Sequence, residues 1–403
     1  MVLQKNKKAK KHGGGNLLIL VCVLLFVPCV ALLAAILPEH GGPRLAGVSF
    51  LEKNKFGFMD KTGTITIPAQ YDERIYAFSE NLAVVCIEGK YGYINKAGAL
   101  KIKMAFDSAR AFSEKLAAVS VEGHYGYIDE KGDFKVPANF EDAYSFSEGL
   151  AAVKIGGLWG YIDKKGAIKI NPQYSTVSSF SNGLAAVEKN GLWGIIDKKG
   201  KNITETIYQE IYRSFADSLI LAKKDDSYGY IDKKGRVAVD FKYKQAAPFF
   251  ENLAKINQNG LYGYIDKKDD FAIYAKYADC SDFSEGLAFA AEGMANGGEN
   301  LYYCVIDKKG ETVVPAQFTG YRNFKNGLAA VSVGGKWGVI DKKGRYVINP
   351  QYYAISDFES GLAIVRLENN VGVIDKRGGV VIEIKYENND SHNYYGLSMV
   401  MER

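Results

Sequence analysis

An aspartate that opens a short run of lysines and closes on a glycine recurs along this 403-residue chain, as in GLWGYIDKKG at 157–166. The aspartates form a column: Asp60, Asp129, Asp163, Asp197, Asp232, Asp266, Asp307, Asp341 and Asp375. Carboxylates can ligate metals or move protons, but either task needs several groups converging on one point. These occur once per repeat, which favours a local role. Aspartate suits the first position of a type I turn, because its carboxylate accepts nearby backbone N–H bonds. Glycine takes the left-handed conformation that closes such a hairpin. DKKG therefore predicts a turn. The pairs Lys164-Lys165, Lys198-Lys199, Lys233-Lys234, Lys267-Lys268, Lys308-Lys309, Lys342-Lys343 and Lys376-Arg377 would line one edge of a regular stack. Such an edge could meet anionic headgroups, wall polymers or acidic glycans, or simply keep strand edges soluble.

Other reactive side chains are sparse. The chain has four histidines: His12 and His40 flank an apolar run, His124 sits in a hairpin slot filled by Lys90 or Lys336 elsewhere, and His392 is near the end. Cys22 and Cys29 lie in the apolar run, while Cys86, Cys280 and Cys304 are scattered without CxxC spacing, which excludes a zinc knuckle or disulfide framework and predicts packing. Phosphate loops, HExxH and GxSxG are absent from the sequence. Carboxylate pairs at Glu141-Asp142, Asp225-Asp226 and Asp269-Asp270 fall in turns and joints. No catalytic, cofactor-binding or metal-ligating residue is assigned, and the expectation is a protein that is not an enzyme and has no cofactor.

The element that positions these residues is a repeat. An aromatic-Gly step occurs at Phe56, Tyr91, Tyr125, Trp159, Trp193, Tyr228, Tyr262 and Trp337, with degenerate copies at Tyr303-Cys304 and Val371-Gly372. The spacing is 34 or 35 residues except for 41 before Tyr303, where the excess falls at 291–300. Each unit predicts three strands, as in 149–153, 159–163 and 167–170; Ile168 and Ile170 alternate with polar or small neighbours as in a half-buried strand. The pairs Ile65/Ile67, Ile102/Met104, Phe134/Val136, Val237/Val239 and Tyr346/Ile348 repeat that alternation. A Pro-containing or polar break follows. Then a phenylalanine marks every joint: Phe78, Phe112, Phe146, Phe180, Phe215, Phe249, Phe283, Phe324 and Phe358. Plugging one unit onto the next explains its fixed spacing better than a ligand-stacking ladder. Glycine beside the large ring predicts close approach of another backbone there.

GKWGVIDKKG at 335–344, INPQY at 170–174 and FSNGLAAV at 180–187, at fixed offsets over about residues 47–403, resemble the WG-repeat family, also called KWG repeats. The resemblance implies an architecture and a setting, in mostly bacterial and often secreted or surface proteins, rather than a reaction. The expected fold is an all-β tandem-repeat protein of about ten units of three short antiparallel strands, arranged as an open curved solenoid-like array, with β-propeller-like closure as the alternative. The final YGLSMVMER resembles one more first strand, which would cover the last unit or close a ring.

Residues 1–16 carry five lysines and no acid; without them 46 basic and 46 acidic side chains balance, so no general attraction to nucleic acid is expected. Residues 17–37 are uncharged and, as a helix, would span roughly 31 Å, which predicts a transmembrane signal anchor. The lysines before it place the N-terminus in the cytoplasm and the rest outside. The predicted organisation is a basic tail at 1–16, a transmembrane helix at 17–37, a linker at 38–47 and a repeat domain at 48–403. Asn202 and Asn389 fit the glycosylation pattern, which matters only in a eukaryotic secretory route. The functional expectation is a membrane-anchored, extracytoplasmic binding or scaffold protein whose partner is a protein, wall polymer or glycan, with a surface spacer or adhesion element as alternative and an envelope enzyme with a carboxylate site behind both.

Overall fold

The computed structural model describes residues 44–215, 218–293, 301–387 and 397–402. The chain divides into two compact units, Met1–Ala35 and Ile36–Arg403, and the described residues belong to the second.

One repeat shows how the sequence makes a blade. Strand a is Asp142–Ala143, strand b Leu150–Ile155, strand c Leu158–Asp163 and strand d Ile168–Tyr174. They pair antiparallel in the order a-b-c-d. The blade is thus four-stranded, not three-stranded. Strand a escapes a periodicity search because only two of its residues form the regular ladder. Beyond them the pairing continues through the Tyr144 amide to Ala152 and a bridge between Ser147 and Leu150.

The expected break after the third strand lies inside strand d. Trp159 pairs with Tyr174 and Tyr161 with Ile170, so a step of two residues on strand c faces four on strand d. This bulge holds Pro172, which strand d tolerates because only one of its edges is paired. The inward alternation also holds for one partner only. Ile67, Val136, Ile170, Val239 and Ile348 are buried, whereas Ile65, Phe134, Ile168, Val237 and Tyr346, two residues earlier, are 40–52% exposed. The core does not reach these first residues because strand d begins at the turn; in the Ile102/Met104 pair the first residue is the buried one and Met104 is half-buried.

Ten sheets follow in sequence among the described residues, eight of four strands, one of five and one of three, numbered here as blades 1–10, with the repeat above as blade 4. Antiparallel pairing sends hairpin tips alternately to two faces. The a–b tips (Glu148-Gly149) and the c–d tips (Lys164, Lys165, Gly166) share one, called the turn face; the b–c tips (Gly156-Gly157) lie on the other.

The array is not open. Ten hydrophobic clusters join ten neighbouring pairs of blades, and one of them packs Val48, Phe50 and Met59 of blade 1 on Ile364, Val371 and Val373 of blade 10. The ten blades therefore close as a β-propeller. Closure is built from both ends of the repeat region. The first strand, Arg44–Glu52, is strand b of blade 1, and Leu397–Glu402 pairs antiparallel with it where strand a would lie. The C-terminal segment thus replaces a strand a rather than repeating GLAAV. The expected linker at 38–47 and the domain start at 48 shift accordingly, since the strand begins at Arg44. Residues 17–37 lie outside the described residues, and among those described no helix is long and apolar enough to cross a membrane.

Candidate functional site

The joints between blades absorb most of the invariant side chains. Every joint phenylalanine, from Phe78 to Phe358, is at most 4% exposed. That burial excludes the stacking ladder. Phe146, for example, packs against Tyr127 of the preceding blade at 4.7 Å between ring centroids. The tyrosine two positions beyond the aromatic-Gly step was not singled out from sequence. Tyr127 donates to the Tyr144 carbonyl at 2.8 Å, Tyr161 to Ser178 at 2.7 Å and Tyr264 to Ser281 at 2.6 Å. Each crosses a joint. Burial pushes these hydroxyls far above the usual tyrosine value, so they remain donors at any physiological pH. The serine after the phenylalanine adds a second tie: Ser79, Ser113, Ser147 and Ser284 each donate to the next blade's phenylalanine carbonyl at 2.7 Å.

A third tie involves the lysines. Glu114 accepts from the Gly149 amide at 3.1 Å and pairs with Lys164 at 2.9 Å, both on blade 4. Glu251 does the same with Gly286 and Lys308, and Glu285 with Gly327 and Lys342. Burial opposes ionisation of Glu251 and Glu285, yet the amide and lysine bonds outweigh it and hold both below the usual range. The first lysine of several pairs is therefore occupied in joining blades. These pairs are half-exposed, so each contributes at most about 1 kcal/mol.

The aspartate column forms turns, as its chemistry predicts. Asp163 Oδ1 accepts from the amides of Lys165 at 2.9 Å and Ala167 at 3.0 Å, and its carbonyl accepts from Gly166. Asn95 makes the same contacts to Ala97 and Ala99. The Lys169 hydrogen bond chiefly holds Asp163 below the usual carboxylate value; slight burial opposes it and the two amides add to it. Asp129 and Asp341 are lowered in the same way by Lys135 and Arg345. A depressed folded-state pKa means that this contribution is present above the unfolded value, near 3.8, and is lost as pH falls through the folded value. The unfolding midpoint should accordingly drop below about pH 4. Replacing Asp163, Asp232 and Asp341 by Asn, which keeps the acceptor and cannot titrate, should flatten that acid limb; an unchanged limb would place its origin elsewhere.

The remaining sequence candidates do not converge. Among the described residues no group of three or more His, Cys, Asp or Glu side chains could hold a metal. Glu141 accepts from Gly157, Asp226 exchanges hydrogen bonds with Gln209, and Asp269 is held by Tyr243 and Lys242. Cys86, Cys280 and Cys304 are buried free thiols, and burial pushes Cys280 up to about 12, which suits packing rather than redox exchange. His124 is exposed. One group escaped sequence reasoning. Asp282 replaces Ser145 or Ser179 of other blades; burial raises its pKa, and Oδ1 has no hydrogen-bond partner among the described residues. Lys255 partly offsets that burial, and no metal-ligating cluster forms around it among the described residues. Asn202 opens a strand d, while Asn389 and residues 294–300 lie outside the described residues.

Nine segments between residues 56 and 370, interrupted only at 124 and 294–302, match the family model described as WG containing repeat. The chain belongs to the WG-repeat family. No curated protein matches it at a significant level. Solved structures to which this WG-repeat chain is similar include a eukaryotic initiation factor, at 11% identity and a TM-score of 0.47, covering 84% of this chain and 94% of that one. The dihydro-heme d1 dehydrogenase NirN in complex with DHE follows, at 12% identity and 0.37, covering 87% and 75%. Kluyveromyces lactis Hsv2p matches at 12% identity and 0.24, covering 63% and 79%. At these scores the likenesses bear on no activity.

Proposed function

We propose that this WG-repeat propeller is a non-catalytic binding scaffold, anchored in a membrane by residues 17–37 and displayed outside the cytoplasm to a protein, wall polymer or glycan. One observation carries the proposal. The blades bury their invariant side chains in joints, yet they also repeat a surface feature that packing does not need. Ile65, Leu100, Phe134, Ile168, Val237, Tyr346 and Val380, each at the start of a strand d, are 40–57% exposed. An apolar side chain left in solvent on blade after blade is what a multivalent contact surface uses. A spacer has no need of it, and a closed ring has no adjustable length.

The test is retention of envelope fractions from the producing cell by immobilised full-length protein. Substituting Phe134, Ile168, Val237 and Tyr346 by Ser, at exposed positions that should change stability little, is expected to cut retention of the bound component at least tenfold. Equal retention by the variant would remove strand d from the binding surface. Chemical alteration of a retained component by the protein would instead show an enzyme.

A further inference from the structure

The formal neutrality of the repeat region hides an uneven distribution. The second residue after each turn aspartate is basic in eight consecutive blades: Lys131, Lys165, Lys199, Lys234, Lys268, Lys309, Lys343 and Arg377. All eight are exposed. Their backbone amides serve the turn, but none of their side chains has an ion-pair partner among the described residues, unlike Lys164, Lys308 or Lys342 beside them. Only blades 1 and 2, with Thr62 and Ala97, interrupt the arc. The acids of the a–b tips on this face are engaged: Glu114, Glu148, Glu251, Glu285 and Glu359 each have a lysine. Besides turn aspartates that accept backbone amides, Glu80, Glu130, Asp133, Asp270 and Glu311 on this face have no cation partner among the described residues, five against the eight cations above. The opposite face lacks such an arc: its b–c tips carry Glu88, Glu122, Asp225, Asp226 and Glu368, with Lys53, Lys189, Lys224 and Lys336 scattered among them. Nearby, Lys55 and Lys90 are paired with Asp72 and Asp107.

A second observation fixes how the chain reaches the ring. Arg44 opens strand b of blade 1 and pairs with Glu402, whose carboxylate meets Lys96 of the blade 2 turn. The Leu45 amide donates to Ser360 Oγ on the a–b tip of blade 10, at 3.2 Å. Arg44 therefore lies on the turn face. Six residues separate it from Leu37, the end of the uncharged run, and an extended chain of that length reaches at most about 25 Å.

We propose that the turn face lies against the anionic headgroups of the lipid bilayer, with the unpaired outer edges of the strands d left open to partners. The proposal rests on the anchor reading above. A ring of identical tips presents its cations in one plane, and a bilayer is a planar array of charge. A linear polyanion would have to bend around the arc to meet the same residues. The six-residue link from the proposed anchor joins the ring at this face. Each lysine near an anionic surface contributes about 1 kcal/mol, and the attraction fades with salt.

The experiment uses the full chain in lipid nanodiscs and measures amine acetylation rates lysine by lysine. In discs containing phosphatidylglycerol, Lys165, Lys199, Lys309 and Lys343 should react about fivefold more slowly than in pure phosphatidylcholine discs, while Lys53, Lys189 and Lys224 near the opposite face keep their rates. High salt should erase the difference. A variant with Lys165, Lys199, Lys309 and Lys343 replaced by Ser should lose the lipid-dependent slowing of Lys234 and Lys268. Equal rates in both lipids, or slowing confined to the opposite face, would overturn the proposal and leave the anchor standing. Slowing by a soluble acidic polysaccharide but not by phosphatidylglycerol would also overturn it, in favour of a polymer ligand. Failure of the chain to enter nanodiscs would overturn the anchor reading, and this proposal with it.

Discussion

Gly160→Val should lower the stability of the propeller by about 3 kcal/mol, whereas Lys164→Val should change it by no more than about 1 kcal/mol. A Cβ on Gly160 would sit 2.5 Å from the Ile170 carbonyl oxygen and 2.6 Å from the Pro172 nitrogen. Both neighbours are backbone in the bulge of strand d, and neither can swing aside as a side chain can. Gly126, Gly263 and Gly338 meet the same wall, with Val136, Ile273 and Ile348 carbonyls at 2.6 Å. Glycine is present because the bulge folds over it, not because its φ is unusual. Lys164 ends in a half-exposed ion pair with Glu114 and leaves little behind when removed. Blade 8 supplies the internal control. It carries Cys304 at this position with its thiol against the strand b carbonyl of Ala290 at 3.1 Å, so a small side chain can be accommodated there with the bulge retained. Gly160→Ala should therefore fall between the other two. Chemical denaturation of the three variants decides the matter; coincident curves for Gly160→Val and Lys164→Val would mean that the bulge yields.

The same residues show what the sequence could and could not reveal. The turn role of Asp163 was legible because it depends on neighbours two and four residues away. Burial of Phe146 was legible because its period outlasted every other feature of the joints. Strand a was not legible, since Asp142–Ala143 is too short to establish a period and depends on partners on strand b. Exposure of Ile168 was hidden for a related reason: alternation reports which side of a sheet a residue faces, and not whether a neighbouring blade reaches that far. Closure lay furthest from view. Whether a row of wedges meets its own beginning depends on a small angle repeated ten times, and no local pattern encodes it. Net charge misled in its own way, because a sum over the chain cannot show that Lys165 and Lys343 share one face. Charge position follows only from knowing which tips share a face.

Removal of the closing strand, by ending the chain at residue 396, should destabilise the ring by on the order of 5–10 kcal/mol, a loss comparable to the whole stability of an ordinary domain. The segment imitates the strand a of a repeat. Leu397 and Val400 are at most 1% exposed, and each buried apolar side chain of this size contributes about 1.5–3 kcal/mol. Val400 joins Phe58 and Phe78 in the joint to blade 2, adding to the phenylalanine already there. Two residues on, Glu402 meets Lys96 just as Glu114 meets Lys164. Its backbone pairs from Phe50↔Leu397 to Arg44↔Glu402, and its end runs parallel to Ala77–Phe78. Losing it strips blade 1 of a strand and thins both of its joints, Val400 leaving the one to blade 2 and Leu397 the one to blade 10, where the packing of Phe50 on Val371 and Val373 remains. Unfolding should consequently become uneven, with amides of 44–71 exchanging well before those of blades 4 and 5. A peptide of residues 395–403 added in trans should restore the midpoint, because strand pairing needs no covalent link. An unchanged midpoint with uniform exchange would show that the blade contacts alone hold the ring shut.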